Sequence, residues 1–235
     1  MDFQKINQKG MVIVDENVKG VIMKRLEKVA EALRKNNMEA YVVNDSREAV
    51  KTVESILEEG ETITCGGSQT LKESGVLELM QSGKYNFLDR SKAKNQEETD
   101  RIYREAFSAD TYLTSSNAVT KDGELYNVDG NCNRIAAIAF GPKQVIFVVG
   151  YNKIVENLEE AVKRVKTIAA PANAFRFNGE MPCRELGNCV SLENGGDMPK
   201  GCRCETRMCC NYLVSSFQRK KGRFKVVLVG EELGF

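Results

Sequence analysis

Helical and strand periodicities alternate along this chain of 235 residues, and that alternation restricts it to a layered α/β fold. Between Asn17 and Asn37 the apolar positions Val21, Ile22, Leu26, Val29, Ala30 and Leu33 recur at helical spacing among lysines and glutamates, which predicts an amphipathic helix. Ala40 to Asn44 is a short β-prone run. Asp45 or Ser46 then caps a second helix whose apolar face is Val50, Val53, Ile56 and Leu57. The same rhythm gives a strand at Thr62 to Cys65, one or two helices from Thr70 to Met80, and a strand near Asn86 to Leu88. Strands separated by helices pair in parallel, with helices on both faces of the sheet.

Farther along, Arg90 to Phe107 is polar at first and then carries Ile102, Tyr103, Ala106 and Phe107, as expected of a surface helix packed by its second half. Tyr112 and Leu113 begin another strand. Ala118 to Tyr126 reads as a β-hairpin, because Asp122-Gly123 suits a turn that requires positive φ, and a hairpin beside a parallel sheet would make the sheet mixed. Arg134 to Phe140 is expected as a buried helix, Val145 to Val149 as a central strand, and Val155 to Ala169 as an amphipathic helix ending before Pro171. Tyr212 to Phe217 and Arg223 to Val229, separated by basic turn residues, are expected to pair as a hairpin. The fold class predicted is therefore α/β: a mixed, mostly parallel sheet flanked by helices, with a Cys-rich segment before a C-terminal hairpin. No repeat or low-complexity linker interrupts the chain, whose length suits a single domain over residues 1–235 with one sizeable core.

Composition removes several function classes. Lysine and arginine number 34 against 33 acids, so the chain lacks the basic excess with which a nucleic-acid binder neutralises phosphates. No uninterrupted apolar stretch approaches the ~20 residues that span a bilayer, and the start, Met-Asp-Phe-Gln-Lys, lacks the apolar core of a signal peptide. A cytoplasmic protein is expected. There is no histidine, which excludes Ser-His-Asp and Cys-His nucleophile systems, His-based zinc proteases and zinc deaminases. Any acid-base chemistry must use Asp, Glu, Lys, Tyr or Cys, with a pKa shifted by burial or by neighbouring charge. A spaced G-x-G-x-x-G follows none of the candidate strands, so no flavin or nicotinamide fingerprint is present.

Candidate site residues lie where strands end. In Cys65-Gly66-Gly67-Ser68-Gln69-Thr70 two residues without Cβ let backbone N–H groups approach a ligand, and Ser68 and Thr70 add hydroxyls at a helix start, a place that attracts phosphate or carboxylate. The alternative is a tight strand–helix turn with Ser68 as its cap. Asn117, Asp129, Asn133, Arg134, Asn152 and Lys153 fall at predicted loop junctions and complete the candidate ligand-binding set. Arg134 suits a bidentate clamp on an anion, with a structural ion pair as the alternative, and Lys153 suits a point charge or, if desolvated, a base or amine nucleophile; for both the ligand is the favoured reading. For Asn117 and Asp129, stabilisation of turns by local side-chain bonds is the stronger reading.

Six of the eight cysteines lie between residues 183 and 210: Cys183, Cys189, Cys202, Cys204, Cys209 and Cys210. In a compartment that keeps thiols reduced, such density points to zinc or an iron-sulfur cluster before disulfides. Reduced loop cysteines without a metal are the competing account. Cys65 and Cys132 read as packing or turn residues.

Four separated phrases, CGGSQTL, SNAVTKDGELYNVDGNCNR, FGPKQVIFVVGYNKIV and RMCC, occur in the order found in the LUD domain, the lactate-utilisation protein family, and the chain resembles that family over roughly residues 10 to 235. One position departs from the pattern: where the family commonly has Gly in an Asn-Gly-Asn-Arg phrase, this chain has Cys132. The resemblance implies the isomerase and CoA-transferase superfold, in which the glycine turn after an early strand commonly binds an anionic ligand group. It also implies a part, as a small subunit, in oxidising L-lactate to pyruvate with iron-sulfur partner proteins. By match to a Pro-Cys, Gly-x-Cys and Arg-x-Cys pattern in longer family members, Cys183, Cys189, Cys202 and Cys209 carry over as metal ligands, with Cys204 and Cys210 as extras. Other classes compatible with the sequence are an isomerase or transferase acting on a sugar phosphate or acyl-CoA, and a metal-binding scaffold without catalysis.

Overall fold

In the computed structural model, which describes residues 4–6, 12–177 and 179–235, the alternating pattern becomes a parallel sheet. First in chain order is a two-stranded antiparallel ribbon, β1 (Gln4–Ile6) and β2 (Val12–Val14). Helix α1 (Glu16–Lys35) follows, capped by Asp15, and buries Leu26, Val29, Ala30 and Leu33. Then come β3 (Glu39–Val43), α2 (Ser46–Ile56) capped by Asp45, β4 (Thr62–Cys65), the short helices α3 (Gln69–Glu73) and α4 (Val76–Met80), β5 (Asn86–Leu88) and α5 (Gln96–Glu105). Strand β6 (Thr111–Thr114) leads into β7 (Ala118–Thr120) and β8 (Leu125–Asp129), joined through Gly123 at φ +80°. Helix α6 (Asn133–Ala139), β9 (Gln144–Gly150), β10 (Ile154–Val155), α7 (Leu158–Arg164), α8 (Ala170–Ala174), α9 (Pro182–Leu186), β11 (Asn211–Ser215) and β12 (Phe224–Val229) complete it.

The main sheet has the order β3-β12-β9-β6-β4-β5, and every neighbouring pair is parallel. Its strands are covered on both faces, as parallel strands require. Val145, Phe147, Val149, Phe224, Val226 and Leu228 pack on the α1 side, while Ile146, Val148, Val227 and Val229 join Ala49, Val53 and Leu71 on the other. The ring of Phe147 meets Phe224 edge-on at 5.0 Å.

Three expectations are corrected. The antiparallel strands do not make this sheet mixed: β7 and β8 belong to a separate four-stranded sheet of order β10-β7-β8-β11. The two last strands do not form a hairpin. β11 pairs antiparallel with β8, whereas β12, apolar on both faces, inserts between β3 and β9 in the fully covered sheet. Finally, the helix expected to stop before Pro171 runs on into α8. A π-turn over Val165–Ala169, with the Ala170 N–H bonded to Val165 O, precedes the proline and lets the helix absorb a residue that has no N–H of its own. Among the described residues no helix is long and apolar enough to cross a membrane.

Candidate functional site

Because the main sheet is parallel, its strands all deliver their last residues to one edge. There β9 leads to Lys153, β6 to Ser115, β4 to Gly66 and Gly67, and β5 to Arg90, and together they border a cleft of about 520 Å³. Ligands of open α/β sheets bind outside this edge. Asp129 at the end of β8, Asn117 just before β7, Asn133 at the start of α6, and residues 205–209 of the Cys-rich segment also line the cleft. Of the ten expected ligand-binding residues, nine line the cleft.

The tenth, Asn152, is turned away from it. Its Nδ2 donates to Gly234 O at 3.0 Å and its Oδ1 accepts from the Leu233 N–H at 3.2 Å, so it pins the segment following β12 instead of meeting a ligand. Arg134 stands in the cleft wall beside Gly66, but its guanidinium is committed to the protein. Nε donates to Asp129 Oδ1, Nη1 to Asn127 Oδ1 and Ser115 O, and Nη2 to Asn117 Oδ1 and Val128 O, all between 2.6 and 3.2 Å. Five N–H groups thus have five acceptors, which leaves none for the bidentate clamp expected of this residue. Asn117 and Asp129 act on structure too: Asn117 Oδ1 accepts from the Val128 N–H, and Asp129 Oδ2 caps α6 by accepting from the Ile135 N–H at 2.8 Å.

At the glycine turn, Ser68 caps α3 by accepting from the Leu71 N–H. Because α3 is a helix of only 5 residues, its dipole adds little, and positive charge near the turn comes from arginines. A Cβ placed on Gly67 would lie 2.5 Å from Arg90 Nη2 and 3.9 Å from Arg176 Nη2, so glycine here makes room for two converging guanidinium groups. Arg90 is oriented by its bond to the Tyr103 hydroxyl and Arg176 by its bond to Asn173 Oδ1. Among the described residues neither arginine has a carboxylate partner within ion-pair distance. Sequence reasoning missed both. Arg90 carried a signal, a basic residue just past a strand end like Lys153, whereas nothing local distinguished Arg176 within Ala-Phe-Arg-Phe.

Lys153 is only 3% exposed and donates to Thr70 Oγ1 at 2.7 Å and Ser115 Oγ at 3.1 Å. Burial, reinforced by the charges of Arg164 and Arg134 and only weakly opposed by Glu73, lowers its pKa to about 7. Arg164 is held by the carbonyls of Asn152 and Asn117, and its charge acts on Lys153.

The sequence model of the LUD domain matches residues 26–229. The chain belongs to the LUD domain family. At that level it is a lactate-utilisation-related protein. No curated protein matches its sequence. Its fold is similar to the crystal structure of a DUF162 family protein from Deinococcus radiodurans, with a TM-score of 0.50, 15% sequence identity, and coverage of 90% of this chain and 97% of that one.

In this LUD domain several cysteines of the Cys-rich segment gather. The Cys202 and Cys204 sulfurs are 3.4 Å apart, and Cys189 and Cys183 lie near enough to Cys209 to reinforce the effect of burial, which pushes that thiol up to about 12. Burial likewise raises the Cys183 and Cys202 thiols. Among the described residues no three Cys, Asp or Glu side chains stand where they could hold a metal ion together. The segment is closed by Arg207, a residue not singled out from the sequence. Its guanidinium binds Cys209 O, Cys202 O, Pro199 O and the Tyr212 hydroxyl. At α6, Cys132 adopts φ +65°, a left-handed conformation that glycine takes more readily than a residue with a Cβ.

Proposed function

We propose that this LUD domain binds a small anionic metabolite, a short carboxylate such as L-lactate or pyruvate, in the cleft at the carboxyl edge of the parallel sheet. In this reading it serves a lactate-utilisation system in which iron-sulfur partner proteins carry out the oxidation of L-lactate to pyruvate. The observation behind it is the convergence of Arg90 and Arg176 on Gly67 without a carboxylate partner among the described residues. Two guanidinium groups that face the cleft and, among the described residues, pair with no carboxylate favour an anion, and their planar forks suit carboxylate oxygens. The chain's own residues bind and orient. Arg90 and Arg176 hold the charged end, while Lys153, Thr70 and Ser115, bonded to one another, line the same cleft.

Titration calorimetry with L-lactate, pyruvate and inorganic phosphate tests the binding. Arg90→Met and Arg176→Met should each weaken the preferred anion by about tenfold or more, the value of one charge-assisted bond. Unchanged affinity in both variants would reject the site. The redox half is tested by mixing the chain with iron-sulfur partner proteins and following L-lactate-dependent dye reduction, which should require the chain.

A further inference from the structure

The hydrogen-bond arrangement at Lys153 suits a neutral amine. The Thr70 hydroxyl donates to Leu233 O at 3.2 Å and the Ser115 hydroxyl to Ser116 O at 3.4 Å. With their hydrogens directed at carbonyls, both hydroxyl oxygens are left as acceptors, and the Lys153 amine donates to each. A neutral amine has two N–H groups and one lone pair, so these two acceptors satisfy it and leave the lone pair unused. An ammonium would carry a third N–H with no acceptor among the described residues. It would also sit beside Arg164 and Arg134 with no ion-paired carboxylate, the distant Glu73 being the acid whose charge acts on it. The side chain lines the cleft at the end of β9.

We propose that Lys153 is an amine nucleophile that forms an imine with a small ketone or aldehyde whose anionic group is held by Arg90 and Arg176. The inference rests on the anion-binding reading above and adds to it a covalent step. The lone pair of Nζ attacks the carbonyl carbon, the carbon–oxygen π electrons move to oxygen, and a proton passes from nitrogen to that oxygen, giving a carbinolamine. Loss of the hydroxyl as water, with the second nitrogen proton, forms the C=N bond. No electrons enter or leave. The Ser115 hydroxyl, in contact with Nζ, is placed to relay the proton. A desolvated lysine kept neutral near neutrality by burial and like charge is the form such chemistry needs.

The test treats the whole chain near pH 7 with sodium cyanoborohydride, which reduces an imine to a stable secondary amine, and with pyruvate, dihydroxyacetone phosphate or acetone. Intact mass and peptide mapping of the wild-type protein then locate the adduct, so the result does not depend on any variant folding. A single adduct on Lys153, at least about tenfold stronger with one of the charged ketones than with acetone, and absent from Lys153→Met, is expected. Pyruvate and dihydroxyacetone phosphate distinguish a carboxylate from a phosphate as the anionic group. Labelling spread over surface lysines such as Lys24 and Lys51, or persisting in Lys153→Met, would overturn the proposal. Equal labelling of Lys153 by acetone would overturn the anionic substrate class. No adduct while calorimetry still detects Arg90-dependent anion binding would reject the imine and leave the binding site, whereas loss of both would reject both.

Discussion

Arg134 and Lys153 look alike from the sequence, two basic residues at the edges of apolar runs, and their roles are separated by what surrounds them. Arg134 meets a carboxylate, two amide oxygens and two carbonyls and becomes the hub of the cleft wall. Lys153 meets two hydroxyls and two like charges and loses its proton near pH 7. The consequence for stability has a definite sign. In the unfolded chain the amine titrates near its ordinary 10.5, in the fold near 7, so between those values the unfolded state binds a proton that the folded state lacks. Stability should therefore rise with pH across that window and be lowest below it. Compared with Lys153→Met, wild-type unfolding free energy should gain on the order of a few kcal/mol from about pH 7 to about pH 10, measured by chemical denaturation. A difference independent of pH would mean that the amine stays charged in the fold.

At the scale of elements, the turn between β8 and α6 depends on one carboxylate. Asp129 ends β8, caps α6 through the Ile135 N–H, and pairs with Arg134 at 2.8 Å, with side-chain exposures of 9% for Asp129 and 14% for Arg134. The capping position itself gives no side-chain bond, because Cys132 stands there in a left-handed conformation. Asp129→Ala removes cap and counter-ion together and leaves a buried guanidinium uncompensated, so it should cost about 3–5 kcal/mol. Denaturant unfolding measures it, and a loss below about 1 kcal/mol, as for an exposed pair, would contradict this account. Anion affinity should fall as well, since Arg134 supports the loops of Ser115 and Asn117.

Across the whole molecule, burial is unevenly distributed. Strands β9 and β12 sit in the middle of the parallel sheet with both faces covered, and their residues are almost entirely inaccessible. The Cys-rich wall between α9 and β11 has little regular structure and is tied mainly by Arg207 and by the Lys166 amine, which donates to Ser191 Oγ and Lys200 O. Local opening should therefore be far easier in that wall than in the sheet. Native-state hydrogen exchange should show the amides of Val145, Phe147, Val227 and Leu228 protected on the order of a hundredfold or more beyond those of residues 190–208. Comparable protection in both would indicate that the wall is an integral part of the cooperative core.

The order of helices and strands, the cap at Asp45, the Gly123 turn and the apolar strands were legible in the sequence because each depends on neighbours within a few residues. So was the end of the sheet at which the cleft forms, since a parallel sheet sends all its carboxyl ends to one side. Strand partners were not legible. Tyr212 to Phe217 and Arg223 to Val229 read locally as a hairpin, and only the vacancy between β3 and β9, across more than half the chain, draws β12 away from β11. The same holds for charge. That Arg134 is neutralised while Arg90 and Arg176 are left facing the cleft depends on groups brought together from β4, β5, α8 and the second sheet. Sequence by itself determined which residues could carry charge and which segments must be buried, because those follow from side-chain chemistry and periodicity. Tertiary structure alone decided which charges found partners, because pairing depends on distance through space, and distance through space is set by the order of strands in the sheet.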